Sequence, residues 1–150
     1  MNSFSGCPGS RAQVIEKKKE NRGDAPTFQS ELRQWPVQLT LVPPTAGYFQ
    51  DANLLLAADC IPFAYPNFHR DMLKDHSIAI ACPKLDDTEP YIEKLTHMFK
   101  ENNIKKITVA IMEVPCCRGL LMITQQALEQ SGKEIPLELI VIGIDGERRN

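Results

Sequence analysis

The sequence lacks the features that mark membrane, secreted and nucleic-acid-binding proteins. Its strongest apolar runs, residues 54–58 and 137–144, fall well short of the roughly 20 residues that cross a bilayer. Residues 1–7 contain no apolar signal-peptide core. A net charge of -2 argues against a nucleic-acid binder that works through bulk positive charge. We therefore expect a cytoplasmic protein that neither inserts into a membrane nor binds nucleic acid.

Common catalytic motifs are also missing. The sequence has no glycine-rich phosphate loop, no Ser-His-Asp order and no zinc-protease motif. The five cysteines are odd in number, and the expected compartment is reducing, so a framework of disulfides explains them poorly. The cysteines are therefore the main chemistry that remains to be explained.

Length and composition predict one domain preceded by an arm. The chain has 150 residues, and 43% of them are hydrophobic, which is enough for a single packed core. Residues 1–34 contain few apolar side chains and a basic run at 17–19, so we expect a flexible arm with a short helix around residues 11–20. Residues 35–147 are predicted to form an α/β domain, and residues 148–150 a tail.

Short apolar runs alternate with amphipathic segments through that domain. Strands are predicted at residues 37–42, 53–59, 77–81, 107–112 and 137–144. Helices are predicted at residues 67–73, 88–101 and 118–131, with a single helical turn near residues 46–51. This alternation is typical of a flavodoxin-like or Rossmann-like open sheet, mostly parallel, of about five strands with helices on both faces.

Cysteines follow three of the predicted strands. Cys60 follows the second strand, Cys82 the third, and Cys116 with Cys117 the fourth. The carboxyl ends of parallel strands share one edge of a sheet, where ligands bind, so these thiols can converge. Four thiolates are the usual ligands of an iron–sulfur cluster, and zinc is also held this way. The sequence thus predicts a metal site of these four residues, with Cys7 on the arm as a substitute ligand or an interface residue.

Two other uses of these cysteines stay open at this point. In a thiol redox protein, Cys116 or Cys117 is the reactive thiolate at the start of a helix, and Cys60 or Cys82 resolves it. In a docking module of a larger redox complex, the same residues bind zinc or no metal at all. Arg118 either offsets the charge of a cluster or contacts a partner.

Several segments resemble one family closely. They are residues 35–39, 57–65, 68–71, 82–87 and 112–117. Together these segments resemble the C-terminal domain of the 4Fe-4S ferredoxin-family proteins of anaerobic microbes, and the resemblance extends from about residue 6 to residue 147. It implies iron–sulfur binding and electron transfer. It also implies that a separate ferredoxin or oxidoreductase subunit is the partner, while a homo-oligomer is left open.

The sequence departs from that family in one major respect. Family members usually begin with a ferredoxin module that carries two C-x2-C-x2-C-x3-C-P runs, and no such run is present in this sequence. We therefore expect a fragment, a split gene or a version that works with a separate ferredoxin. A more distant resemblance connects the adjacent pair Cys116 and Cys117 with the cluster-bearing small subunits of respiratory complex I, whose 4Fe-4S cluster lies at strand ends of a flavodoxin-like sheet.

Overall fold

A computed structural model describes residues 8–16 and 28–150. Two short strands, β1 (Gln13–Val14) and β2 (Gln34–Trp35), pair with each other in antiparallel orientation. The main sheet contains β3 (Asn53–Ala58), β4 (Ser77–Ala81), β5 (Lys106–Met112) and β6 (Leu137–Ile142). These four strands are all parallel and lie in the order β4-β3-β5-β6. The predicted α/β class with a parallel open sheet is confirmed.

Three α-helices connect the strands of the main sheet. They are α1 (Ile61–Ala64), α2 (Glu89–Glu101) and α3 (Arg118–Ser131). Shorter turns are 3-10 helices at Pro8–Ser10, Gly47–Phe49 and Pro115–Cys117, and a π-helical turn at His69–Leu73. The α3 helix ends at Gly132, whose φ of 69° is left-handed and suits a residue without a Cβ.

Strand order determines which helices share a face of the sheet. The connection from β3 to β4 runs towards one edge of the sheet, whereas those from β4 to β5 and from β5 to β6 run towards the other. Because parallel crossovers are right-handed, α2 and α3 cover one face, and α1 with the π-helical turn lies on the other. The α2 and α3 helices contact each other along their length, as this arrangement requires.

The core lies between the sheet and these helices. Leu54, Leu55 and Leu56 of the central strand β3 are buried on both faces, and Leu95 and Phe99 of α2 are fully buried. Burying a side chain of this size stabilises the fold by about 1.5–3 kcal/mol. In residues 8–16 and 28–150, no helix combines the length and the apolar character needed to cross a membrane.

The first predicted strand is wrong over most of its length. Residues 37–42 pair with β4 only at one bridge, between Gln38 and Ile80, so the main sheet has four strands. After this bridge the chain turns, because the Gln38 carbonyl accepts hydrogen bonds from the amides of Leu41 and Val42. The Lys94 ammonium then binds the next carbonyls along the segment, at 2.9 Å. Period-two alternation here therefore reflects a buried turn and not a strand.

The structure differs from the prediction at both ends of the domain. The predicted helix at residues 11–20 is wrong over its described part, because residues 13–14 form β1. Trp35 donates its indole N–H to the Gly9 carbonyl at 2.7 Å, which attaches this part of the arm to β2. The predicted tail is joined to the sheet, since Arg148 bridges Ile142 and the Arg149 amide binds the Val141 carbonyl.

Candidate functional site

The strand order brings the described cysteines to neighbouring positions on one edge. Cys60 follows the central strand β3, Cys82 follows β4 on one side, and Cys116 with Cys117 follows β5 on the other. The chain leaves β3 and β5 towards opposite edges of the sheet, so the topological switch point lies between the ends of these two strands. Ligands of open α/β sheets bind at such a switch point. Cys60, Cys116 and Cys117 lie on its two sides.

Cys116 and Cys117 lie in the 3-10 turn that leads into α3. The Cys117 amide donates to the Val114 carbonyl at 3.1 Å, and Pro115 starts the turn. Cys116 is exposed, whereas Cys117 is buried. Burial raises the pKa of the Cys117 thiol, and the charges of Cys116 and Cys60 add to that increase in pKa. Three thiols therefore influence one another at this edge.

The loop that carries Cys82 is held by a carboxylate and a phenol. Asp86 accepts the Cys82 amide at 3.0 Å and the Tyr91 hydroxyl at 2.6 Å through the same carboxylate oxygen. A Cβ added at Gly119 would lie 3.1 Å from Pro83, so the loop packs closely on the first turn of α3. Cys82 is therefore fixed beside the first turn of α3.

Asp59 contributes an unsatisfied polar atom next to Cys60. One of its carboxylate oxygens is buried and has no hydrogen-bond partner in the described part of the chain. Burial raises the pKa of Asp59, and the charge of Asp86 raises it further. A buried carboxylate oxygen without a partner destabilises the fold. Asp59 is therefore a polar residue at this edge whose presence the packing of the fold does not explain.

Other titratable side chains of the domain form ordinary contacts within the fold. Asp87 accepts the amide of Glu89, the first residue of α2, whereas Asp86 binds the Cys82 amide. His69 accepts the Glu31 amide at 3.1 Å, and the His76 ring lies 2.8 Å from the Lys74 carbonyl, so both make ordinary surface contacts. Cys7 lies outside the described residues. Within those residues, no group of three or more His, Cys, Asp or Glu side chains is placed to hold a metal ion.

Tyr91 was missed by the sequence analysis, because its position in α2 indicates only a core residue. Its side chain is 3% exposed, and its hydroxyl lies 2.9 Å from that of Thr40. Burial and the hydrogen bond to Asp86 raise the pKa of Tyr91 to about 12. The only signal in the sequence was the spacing of five residues between Asp86 and Tyr91 across a helix start, which is too common to be informative.

The high pKa of Tyr91 predicts a loss of stability in alkali. The unfolded chain ionises this phenol above about pH 10, while the folded protein keeps it protonated until about pH 12. The unfolded state thus binds fewer protons in this window, and the free energy of unfolding falls as pH rises. Denaturant unfolding at about pH 8 and about pH 11 should show a smaller fall for Tyr91→Phe than for the wild type. Equal falls in the two proteins would contradict this assignment.

Comparisons with known proteins agree with the fold. Residues 46–149 match a family described as Rossmann-like domain. A protein of Archaeoglobus fulgidus, described as an uncharacterized protein, is 32% identical over 116 residues, which make up 77% of this chain and 81% of that protein. No solved structure matches the chain. The parallel sheet, its switch point and the extent of the match lead to one conclusion: the chain belongs to the Rossmann-like domain family.

Proposed function

We propose that the protein binds a 4Fe-4S cluster at the carboxyl edge of its sheet and serves in cytoplasmic electron transfer. The observation that carries this proposal is the position of Cys60, Cys82, Cys116 and Cys117 after three neighbouring parallel strands. These four residues would hold the cluster. When bound, such a cluster accepts and donates single electrons at a potential set by its charge, hydrogen bonds and exposure.

The donor set matches the proposed group in its chemistry. Iron–sulfur clusters are held mostly by four cysteine thiolates, and all four described cysteines are free thiols. Cys60 and Cys116 are exposed, so iron and sulfide can reach the edge from solvent. The Cys82 amide is bound to Asp86, which limits the movement of that ligand. The proposal is supported by the types of donor and by their order along the edge of the sheet, and not by ligands that, among the described residues, are already arranged around a metal position.

The surface around these cysteines suits a protein partner. Three large apolar side chains lie shortly after the ends of β3, β4 and β6, and they are almost fully exposed: Phe63 at 92%, Leu85 at 82% and Ile144 at 84%. Exposed apolar groups that share one edge favour a docking surface. We propose that a separate ferredoxin or oxidoreductase subunit docks here, where electrons would have the shortest path to the cluster.

A thiol redox function is the second candidate. The contact between Cys116 and Cys117, with Cys60 close by, favours it, because three thiols are available for exchange. The raised pKa of Cys117 acts against this residue as the nucleophile, since the thiolate is the reactive form. This function requires rapid alkylation of one thiol in the metal-free protein, whereas the cluster function does not.

Anaerobic reconstitution tests the cluster function directly. The full chain is incubated with iron and sulfide, desalted, and assayed for metal, acid-labile sulfide and absorption near about 400 nm. We expect about four iron and four sulfide ions per chain, and bleaching of the absorption band on chemical reduction. A chain that retains no iron would overturn the proposal, and stoichiometric zinc without sulfide would favour the docking module instead.

A further inference from the structure

An apolar cleft of about 280 Å³ lies between the first turn of α3 and the carboxyl halves of β5 and β6. Its apolar wall includes Ile111 of β5, Leu121 of α3, and Leu139 and Val141 of β6. None of these side chains takes part in the proposed metal site. The cleft is therefore a separate feature that needs its own explanation.

The cleft exists because, among the helices of residues 8–16 and 28–150, α3 alone lies beside this part of β6. Ile111 lies beside Val141 in the parallel register, so both side chains point to the face that α3 covers only in part. After β6 the chain turns and returns antiparallel along the edge of that strand, where Arg148 bridges Ile142. As a result Leu139 and Val141 stay half-buried, whereas Ile140 and Ile142 on the opposite face are 5% and 0% exposed.

Two residues of opposite charge line the cleft, Glu113 and Arg118, and they differ in their partners. The Glu113 carboxylate is paired with Arg149 at 3.0 Å, and the same guanidinium binds Asp145 at 2.9 Å and Glu147 at 3.7 Å. Arg118 forms no ion pair within residues 8–16 and 28–150. Arg118 is the first residue of a 14-residue helix, whose dipole adds positive potential at this end. The cleft thus combines an apolar wall with one unpaired cation.

We propose that this cleft binds a small monocarboxylate with an apolar tail. The carboxylate pairs with Arg118, whose planar guanidinium matches it in geometry, and the tail packs among Ile111, Leu121 and Val141. A liquid water takes up about 30 Å³, so the cleft has room for roughly nine atoms of that size. Hexanoate, with its eight non-hydrogen atoms, is a suitable probe. This binding does not depend on the metal site.

Titration of the full-length, metal-free chain with three six-carbon probes tests the proposal. Hexanoate, hexanamide and hexylamine share a similar tail and differ in head-group charge. Monitored by amide chemical shifts, hexanoate should perturb residues of β5, β6 and the start of α3, and bind roughly tenfold more tightly than hexanamide, because an ionised acceptor strengthens its hydrogen bonds to Arg118. In Arg118→Gln the two probes should bind alike. Equal affinity for all three probes in the wild type would overturn the proposal, as would shifts confined to other regions.

A second variant tests the position of the tail. Leu121→Phe adds volume at the cleft wall on a half-buried helix residue, so it should weaken hexanoate binding at least about fivefold without changing the far-ultraviolet circular dichroism. Unchanged binding in this variant would place the ligand elsewhere and refute the assignment. Sedimentation identifies the competing occupant: a wild-type dimer that Leu121→Phe converts to monomer would show that a second copy covers the cleft, which also overturns the proposal.

Discussion

A Cys117→Ser variant should retain at most about a tenth of the iron that the reconstituted wild type holds. Changes to groups that merely support a metal ligand already cost 10–100-fold in affinity, and loss of a ligand costs at least as much. Cys117 should show the loss most clearly, because it is buried at the switch point and interacts with both Cys116 and Cys60. Serine keeps the size and polarity of the side chain but replaces the soft thiolate with a poor ligand.

The full series of variants separates ligation from structural damage. Cys60→Ser, Cys82→Ser and Cys116→Ser should also lose iron, while Met122→Ser, on the exposed side of α3, should keep it. Iron per chain and the absorption band are measured after identical reconstitution. Full iron content in all four cysteine variants would contradict the cluster. If Cys7→Ser loses iron and one of the four does not, Cys7 belongs to the ligand set.

From the sequence, the position of the cysteines at the carboxyl edge of the sheet could be predicted, but their spatial order could not. Runs of buried residues identify where β3, β4 and β5 end, so a cysteine after each strand could be assigned to one edge. Strand order is not encoded in local pattern, however, and only the structure places Cys60 between Cys82 and the pair at Cys116 and Cys117. The role of Asp86 was equally hidden, because an aspartate before a helix usually caps it.

Helix bounds were predicted better than the first strand. The α3 helix runs over the predicted residues 118–131. Gly132 permits a left-handed stop at its C-terminal end, and Leu120, Ile123 and Ala127 form a buried stripe along it. Residues 37–42 have an equally regular pattern, yet whether they form a strand depends on contacts with β4 that the pattern does not contain. The side chain of Gln34, just before this segment, occupies part of the edge of β4 that a strand would otherwise cover.

Replacing Gln34 should strongly lower the stability of the protein, because its buried side chain binds the edge of β4. Gln34 is buried, at 1% exposure, and its side-chain amide makes the hydrogen bonds to β4 that a neighbouring strand would otherwise make. It donates to the Ile78 carbonyl at 2.8 Å and accepts the Ile78 amide at 2.9 Å. Gln34→Leu keeps the volume but leaves both backbone groups of Ile78 without partners. Because each of these two unsatisfied buried groups costs about 1–3 kcal/mol, the free energy of unfolding should fall by about 2–6 kcal/mol.

Denaturant unfolding measures this loss, with Gln126→Leu on the exposed face of α3 as the matched control, which should stay within about 0.5 kcal/mol of the wild type.

Gln34→Glu gives a sharper version of the same test. A protonated glutamic acid can donate to the Ile78 carbonyl and accept its amide, whereas the carboxylate can only accept. Burial favours the neutral acid and raises the pKa of the new side chain in the folded state. The stability that this variant retains in acid is therefore lost as pH rises through that pKa. A Gln34→Glu variant with the same pH dependence as the wild type would show that the two hydrogen bonds to Ile78 do not secure the edge of β4.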